Sequence, residues 1–200
     1  MTVTGSLLSR PQMSCPEPTE LTIRDADPGR DAAACAAIYA PAVEGSVISF
    51  ELCAPGPGEI AERMRRYQRS HAWLVAERGG EVIGYAYACH FNERPAYRWS
   101  ASVSVYIAAA ERGRGRGRAL YGALFERLRC QGLRMACAGI TLPNPASVGL
   151  HESLGFCPVG VYREIGWKDG DWLDIGWWQL ELAPAPEGPP SEPLMRGQAA

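Results

Sequence analysis

The chain has 200 residues, of which 46% are hydrophobic, and a formal net charge of -2. That length suits one domain with a full apolar core, and the near-neutral balance gives no reason to expect a nucleic-acid or anionic-membrane partner. Seven cysteines, odd in number and without zinc-type spacing, read as free thiols in a reducing cytoplasm rather than as a disulfide framework or a metal site.

Residues 1–20 contain Pro11, Pro16 and Pro18 and show no periodicity, so a disordered extension is expected. Its apolar core, Leu7–Leu8, is too short for a signal sequence, and no run in the chain approaches the roughly 18 apolar residues of a membrane span. Leu21–Arg24 reads as a strand. Asp27-Pro28 supplies an N-cap and a first-turn proline, Ala32–Tyr39 is helix-forming, and Pro41 is expected to end that helix. Val47–Glu51 reads as a short extended segment, Pro55–Gly58 as a loop, and Glu59–Gln68 as a helix with Ile60, Met64 and Tyr67 on one stripe. Ala72–Glu77 and Glu81–Cys89 bracket Gly79-Gly80, a hairpin signal. After the polar loop Asn92–Arg98, Trp99–Ile107 reads as a strand. Leu120, Leu124 and Leu128 then line up with Tyr121 and Phe125 on one helical face, and Gly132 ends that helix. Met135–Leu142 reads as a buried strand and Asn144–Leu154 as a short helix. Phe156–Trp167 and Trp172–Leu182 flank Asp169-Gly170, a second hairpin signal. Residues 183–200 are proline-rich and are expected to form a disordered tail. The ordered part is thus residues 21–182, a mixed α/β domain.

One stretch carries chemistry. In Val103–Arg118 a strand-like run, VSVYI, is followed by AAA and then by Gly113, Gly115 and Gly117 alternating with Arg112, Arg114, Arg116 and Arg118. A strand, a glycine-rich turn and a helix start present unpaired backbone N–H groups to an anion. Glycine permits the positive φ and close approach that such an amide nest needs, and the arginines suit a polyphosphate. The spacing is neither G-x-G-x-x-G nor a P-loop, since Arg118 occupies the last glycine's place and no G-K-[ST] follows.

The pattern R-x-x-G-x-G formed by Arg112, Gly115 and Gly117 resembles the pyrophosphate loop of the GNAT superfamily of acyl-CoA-dependent N-acetyltransferases. YAPAVEGSVISFE, AYRW, VSVYI, RGRGRGRALY, LPNPASVGLHESLGF and GWKDGDWLDIGWWQ together resemble its phosphinothricin N-acetyltransferase branch. The resemblance implies a GNAT fold of the α/β (α+β) class: a mixed, mostly antiparallel central sheet with flanking helices. Two neighbouring strands, Trp99–Ile107 and Met135–Leu142, would splay apart to admit acetyl-CoA.

The resemblance also implies roles. Val105, Tyr106 and Ile107 would bond the pantetheine amides through their backbone, Arg112–Arg118 would hold the pyrophosphate, and Asn144 would contact the cofactor arm. His151 would lie beside the departing sulfur. Phe50, Tyr97 and Trp99 would shape the acceptor pocket. The branch commonly carries a glutamate base as T-x-E before the strand end, whereas this chain has Ser102 there. Proton handling therefore falls to His151 with water near Ser102, or to Glu51. The implied activity is acetyl transfer from acetyl-CoA, without a metal, to the amine of a small acceptor such as phosphinothricin, methionine sulfoximine or methionine sulfone. A homodimer is implied as well. Two other readings stay open: an acetyl-CoA-binding protein with weak or lost transferase activity, motivated by Ser102, and a nucleic-acid binder using the arginine run.

Overall fold

The computed structural model describes residues 20–195, so the expected N-terminal extension falls almost wholly outside the described residues. Seven strands form one sheet in the order β1-β2-β3-β4-β5-β7-β6. They are β1 Leu21–Asp25, β2 Trp73–Arg78, β3 Glu81–His90, β4 Ser100–Ile107, β5 Met135–Leu142, β6 Cys157–Lys168 and β7 Asp171–Glu181. All neighbouring pairs are antiparallel except β4 and β5. Four helices flank them: α1 Ala32–Glu44, α2 Pro57–Tyr67, α3 Arg116–Cys130 and α4 Pro145–Ser153.

The sheet is covered on both faces, which explains the unbroken apolar run of β2. Leu74 and Ala76 face one core with Leu120, Tyr121, Leu124 and Leu128 of α3. Trp73 and Val75 face the other, with Cys35, Tyr39 and Val43 of α1 and Ile60 and Met64 of α2. Successive strand residues point to opposite faces, so a strand buried on both sides is apolar throughout. Leu124 is fully buried, and Leu124→Ala would cost about 2–5 kcal/mol through the cavity it leaves.

Three expectations need correction. Pro41 does not end α1, which runs on to Glu44; burial of Tyr39, Ala42 and Val43 outweighs the missing donor. Asp27 caps a turn, accepting from the amides of Gly29 and Arg30, while the helix itself starts after Asp31. Val47–Glu51 is an irregular loop, because side chains from four other elements, Tyr39 of α1, Arg63 of α2, Thr141 of β5 and Lys168 of β6, take up its polar groups. Of the proline-rich tail, residues 183–195 contain neither helix nor strand. They lie back on the domain: Ser191 O accepts from Trp99 Nε1 at 2.8 Å, Glu192 pairs with Arg98, and Leu194 N donates to Gln131 O.

Candidate active site

The parallel pair β4–β5 is joined only at Ser100–Met135, Ala101–Ala136 and Ser102–Cys137. Beyond Ser102 the strands part. The opening is lined by Val103, Ser104, Val105 and Tyr106 of β4 and by Ala138 to Thr141 of β5, with Tyr121, Asn144, Ser147 and His151 behind and Ile48 in front. Because β5 leaves the ladder, the edge of β4 from Val103 to Ile107 faces open space on that side. An extended amide-bearing ligand can pair with such an edge as an added strand would.

β4 ends at Ile107, and the chain turns through Gly113 and Gly115, whose φ angles are +72° and +75°. A Cβ at either position would meet nothing within 4 Å, so both are glycine for backbone conformation and open approach, not for packing. The first amide bonded within α3 is that of Ala119, to Gly115 O. The amides of Arg116, Gly117 and Arg118 therefore have no partner within the helix, and the positive end of its dipole faces the same place. Gly117 is tight instead: a Cβ there would lie 3.1 Å from Leu150 of α4. The loop offers an anion site built from backbone, and its donors fit a diphosphate.

The arginines divide the work. Arg116 pairs with Glu111, a carboxylate 5% exposed that also binds Arg78 at 2.5 Å. Arg112 Nε donates to Ile107 O, and Arg118 donates to Ser153 O and Oγ. Arg114 is exposed. Arg112, Arg116 and Arg118 thus brace the loop as well as charge it. Glu111 is a structural member of this site that reading the sequence missed.

His151 is buried behind the opening. Its Nδ1 donates to Ser147 O at 2.8 Å, and its Nε2 lies 3.0 Å from the Tyr121 hydroxyl. A carbonyl only accepts, so Nδ1 carries a proton; in the neutral ring, which burial favours, Nε2 is the acceptor and Tyr121 donates to it. Burial moves the imidazole below its ordinary range, against the opposing pull of the Ser147 carbonyl. Tyr121 lies in the apolar stripe of α3 and gave no sequence signal of a polar role. Asn144 caps α4 through Ser147 N, and it also lines the opening.

Glu51 stands apart from His151. Its carboxylate takes two bonds from Arg63, at 2.6 and 2.9 Å, and one from Tyr39 at 2.8 Å. The Arg63 bonds hold it below the usual carboxylate range despite partial burial, so it is a poor proton acceptor near neutrality. Tyr39 packs edge-on against Tyr106 with ring centroids 4.7 Å apart. Ser102 lies half-buried where the β4–β5 ladder stops, between Cys89 of β3 and Cys137 of β5 in register. Among the described residues lining the opening, none is an aspartate or glutamate.

The three expected acceptor-pocket aromatics are not gathered together. Phe50 lies against the backbone of Gly166 in β6. Tyr97 is exposed in a short 3-10 turn and meets Phe91, which meets Trp177. Trp99 precedes β4 at the end away from the opening, where Ser191 holds its indole and Arg98 stacks on it. Trp99 therefore docks the tail, at the end of β4 away from the opening. The described residues contain no group of three or more side chains suited to a metal ion.

Known proteins resemble this chain in sequence and in fold. The acetyltransferase (GNAT) family model matches residues 46–156. The chain is 38% identical to a phosphinothricin N-acetyltransferase of Streptomyces viridochromogenes, over 87% of this chain and 95% of that one. It is 35% identical to an L-methionine sulfoximine/L-methionine sulfone acetyltransferase of Salmonella typhimurium, over 81% and 95% of the two chains. Its fold is similar to the crystal structure of a GNAT superfamily phosphinothricin acetyltransferase from Sinorhizobium meliloti in complex with acetyl-CoA. That match has a TM-score of 0.81 and 35% identity, covering 86% of this chain and 94% of that one.

Proposed function

Since the chain belongs to the acetyltransferase (GNAT) family, we propose that it moves an acetyl group from acetyl-CoA directly to the primary amine of a small amino-acid-like acceptor. Phosphinothricin, methionine sulfoximine and methionine sulfone are the acceptor type, supported by the names of its relatives. The observation that carries the reading is the parting of β4 and β5 after Ser102, directly beside a glycine turn with open amides.

Bound acetyl-CoA supplies the acetyl group as a thioester. The chain's residues do the rest. Gly113–Arg118 hold the diphosphate, and the open edge of β4 at Val105, Tyr106 and Ile107 orients the arm. Backbone N–H of Val105 or Tyr106 stabilises negative charge developing on the carbonyl oxygen. An alkyl amine of pKa about 10 is mostly protonated at neutral pH, and only its neutral form attacks. Attack forms the amide C–N bond and breaks the thioester C–S bond. The proton lost by the amine is handled by His151, reached through the Tyr121 hydroxyl that bonds its Nε2, with water at Ser102. The departing CoA thiolate takes up a proton and leaves as the thiol. Glu51 serves as an ionised anchor for Tyr39 and Arg63.

The homodimer and a cytoplasmic location belong to the same proposal. Val159, Val161, Tyr162, Ile165, Trp167 and Trp172 on the β6–β7 hairpin are all exposed, an apolar surface of the kind that association covers. The six described cysteines are free, as a reducing compartment keeps them. No described helix is long and apolar enough to cross a membrane. Calorimetry with acetyl-CoA, followed by a thiol-reagent assay of CoA release with the three acceptors, tests the reading. Release with at least one supports it. No affinity for acetyl-CoA at about millimolar concentration overturns it.

A further inference from the structure

Lys168 is the last residue of β6, and it is 4% exposed. Its Nζ donates to three carbonyls, Val43 O at 2.6 Å, Ser46 O at 2.9 Å and Ser49 O at 2.7 Å. An ammonium has three protons, and each finds one acceptor. Val43 belongs to the last turn of α1, whose carbonyl end carries partial negative charge. The other two acceptors lie in the irregular segment between α1 and α2.

That segment is tied from three sides. Thr141 Oγ1 of β5 donates to Ile48 O at 3.2 Å, and Tyr39 of α1 bonds Ser49 Oγ at 2.7 Å. Phe50 rests on β6, where a Cβ added at Gly166 would stand 2.1 Å from its Cε2. Ile48 lines the opening between β4 and β5. The segment has no ladder or helix of its own; besides its bonds to Ala42 O of α1 from Ser46 Oγ at 2.9 Å and Ser49 N at 3.3 Å, these side-chain ties set where the wall of the opening stands.

We propose that Lys168 is a positioning residue for the acceptor: its ammonium fixes the segment Ser46–Phe50 as the acceptor-side wall, and so sets affinity for the amine but not for acetyl-CoA. The proposal rests on the acetyl-transfer reading of the opening. Lysine suits the task because a compact ammonium converges on three carbonyls, which a planar guanidinium cannot. Removing the ammonium leaves three acceptors without their donor.

The test is Lys168→Met and, separately, Gly166→Ala, in the full-length protein. For each, acceptor KM, kcat, acetyl-CoA affinity by calorimetry and hydrogen exchange of the 46–51 amides are measured. Acceptor KM is expected to rise about tenfold or more, with acetyl-CoA affinity within about twofold of wild type. Faster exchange is expected at 46–51. An unchanged acceptor KM together with wild-type exchange at 46–51 overturns the proposal. So does a loss of kcat alone with both affinities preserved, the mark of a purely structural lysine. Should Lys168→Met fail to fold, Gly166→Ala pushes Phe50 off β6 from a position two residues before Lys168, and the same split is required of it. If wild type acetylates no amine, the functional reading falls, and exchange at 46–51 alone then decides whether Lys168 holds the wall.

Discussion

The Tyr121 hydroxyl lies 3.0 Å from Nε2 of His151, and both side chains line the opening between β4 and β5. A donor aimed at Nε2 stabilises the neutral ring, and so does burial. Tyr121→Phe removes that donor and is expected to move the acidic limb of the pH–rate profile to higher pH. His151→Ala is expected to cut turnover by about tenfold to a thousandfold while acetyl-CoA binding stays intact. A profile that keeps its acidic limb in His151→Ala removes His151 from the mechanism.

Gly113 and Gly115 hold positive φ with open space around them. Alanine at either position meets no clash but must adopt a left-handed backbone, at about 1–2 kcal/mol. Acetyl-CoA affinity is expected to fall by about tenfold or more, as the amides of the nest turn away. Calorimetry on both variants checks this. Wild-type affinity in both would mean that the turn does not hold the diphosphate.

Glu111 is buried between Arg78 and Arg116. Glu111→Gln leaves two guanidinium groups facing a neutral amide, and thermal stability is expected to drop by about 2–4 kcal/mol with weaker acetyl-CoA binding. Arg114→Ala, at an exposed position, is expected to weaken acetyl-CoA binding with an unchanged Tm, and less so at high salt. The contrast between the two separates bracing the loop from charging it.

His71 is 3% exposed, and burial, helped by nearby His90, pulls it down to about 4 from 6.5. The folded form therefore binds this proton less readily than the unfolded chain. Stability from His71 is full above about 6.5 and is lost as pH falls toward 4, up to about 3 kcal/mol in all. Thermal melts of wild type and His71→Asn across that window are expected to differ in slope, with the variant flatter. Parallel slopes would show that His71 does not carry the loss.

Residues 184–195 return to the domain through Trp99, Arg98 and Gln131. Ending the chain at Ala183 is expected to lower stability by about 1–3 kcal/mol, since it exposes one side of Trp99 and leaves its indole N–H without Ser191 O. Acetyl-CoA affinity is expected to stay unchanged, because Trp99 is at the far end of β4 from the opening. An unshifted Tm in the truncated chain would show that this contact contributes nothing.

What the sequence determined by itself was local. Period and punctuation marked most of the strands and helices, because an apolar face and a glycine or proline break are written in consecutive residues. The anion turn was readable for the same reason: Gly113, Gly115 and Gly117 act through their own backbone. Tertiary structure decided everything that depends on partners far along the chain. Pro41 stays within α1 because the core holds Tyr39 and Val43, and Glu51 is an anchor because Arg63 faces it. Tyr121 looked like core until the fold set it beside His151, thirty positions away. Lys168 carried no signal of a role in the sequence; three carbonyls from residues 43–49 close around it only in the fold. A side chain's protonation and role follow from the groups that reach it, and in this chain many of those groups come from distant segments.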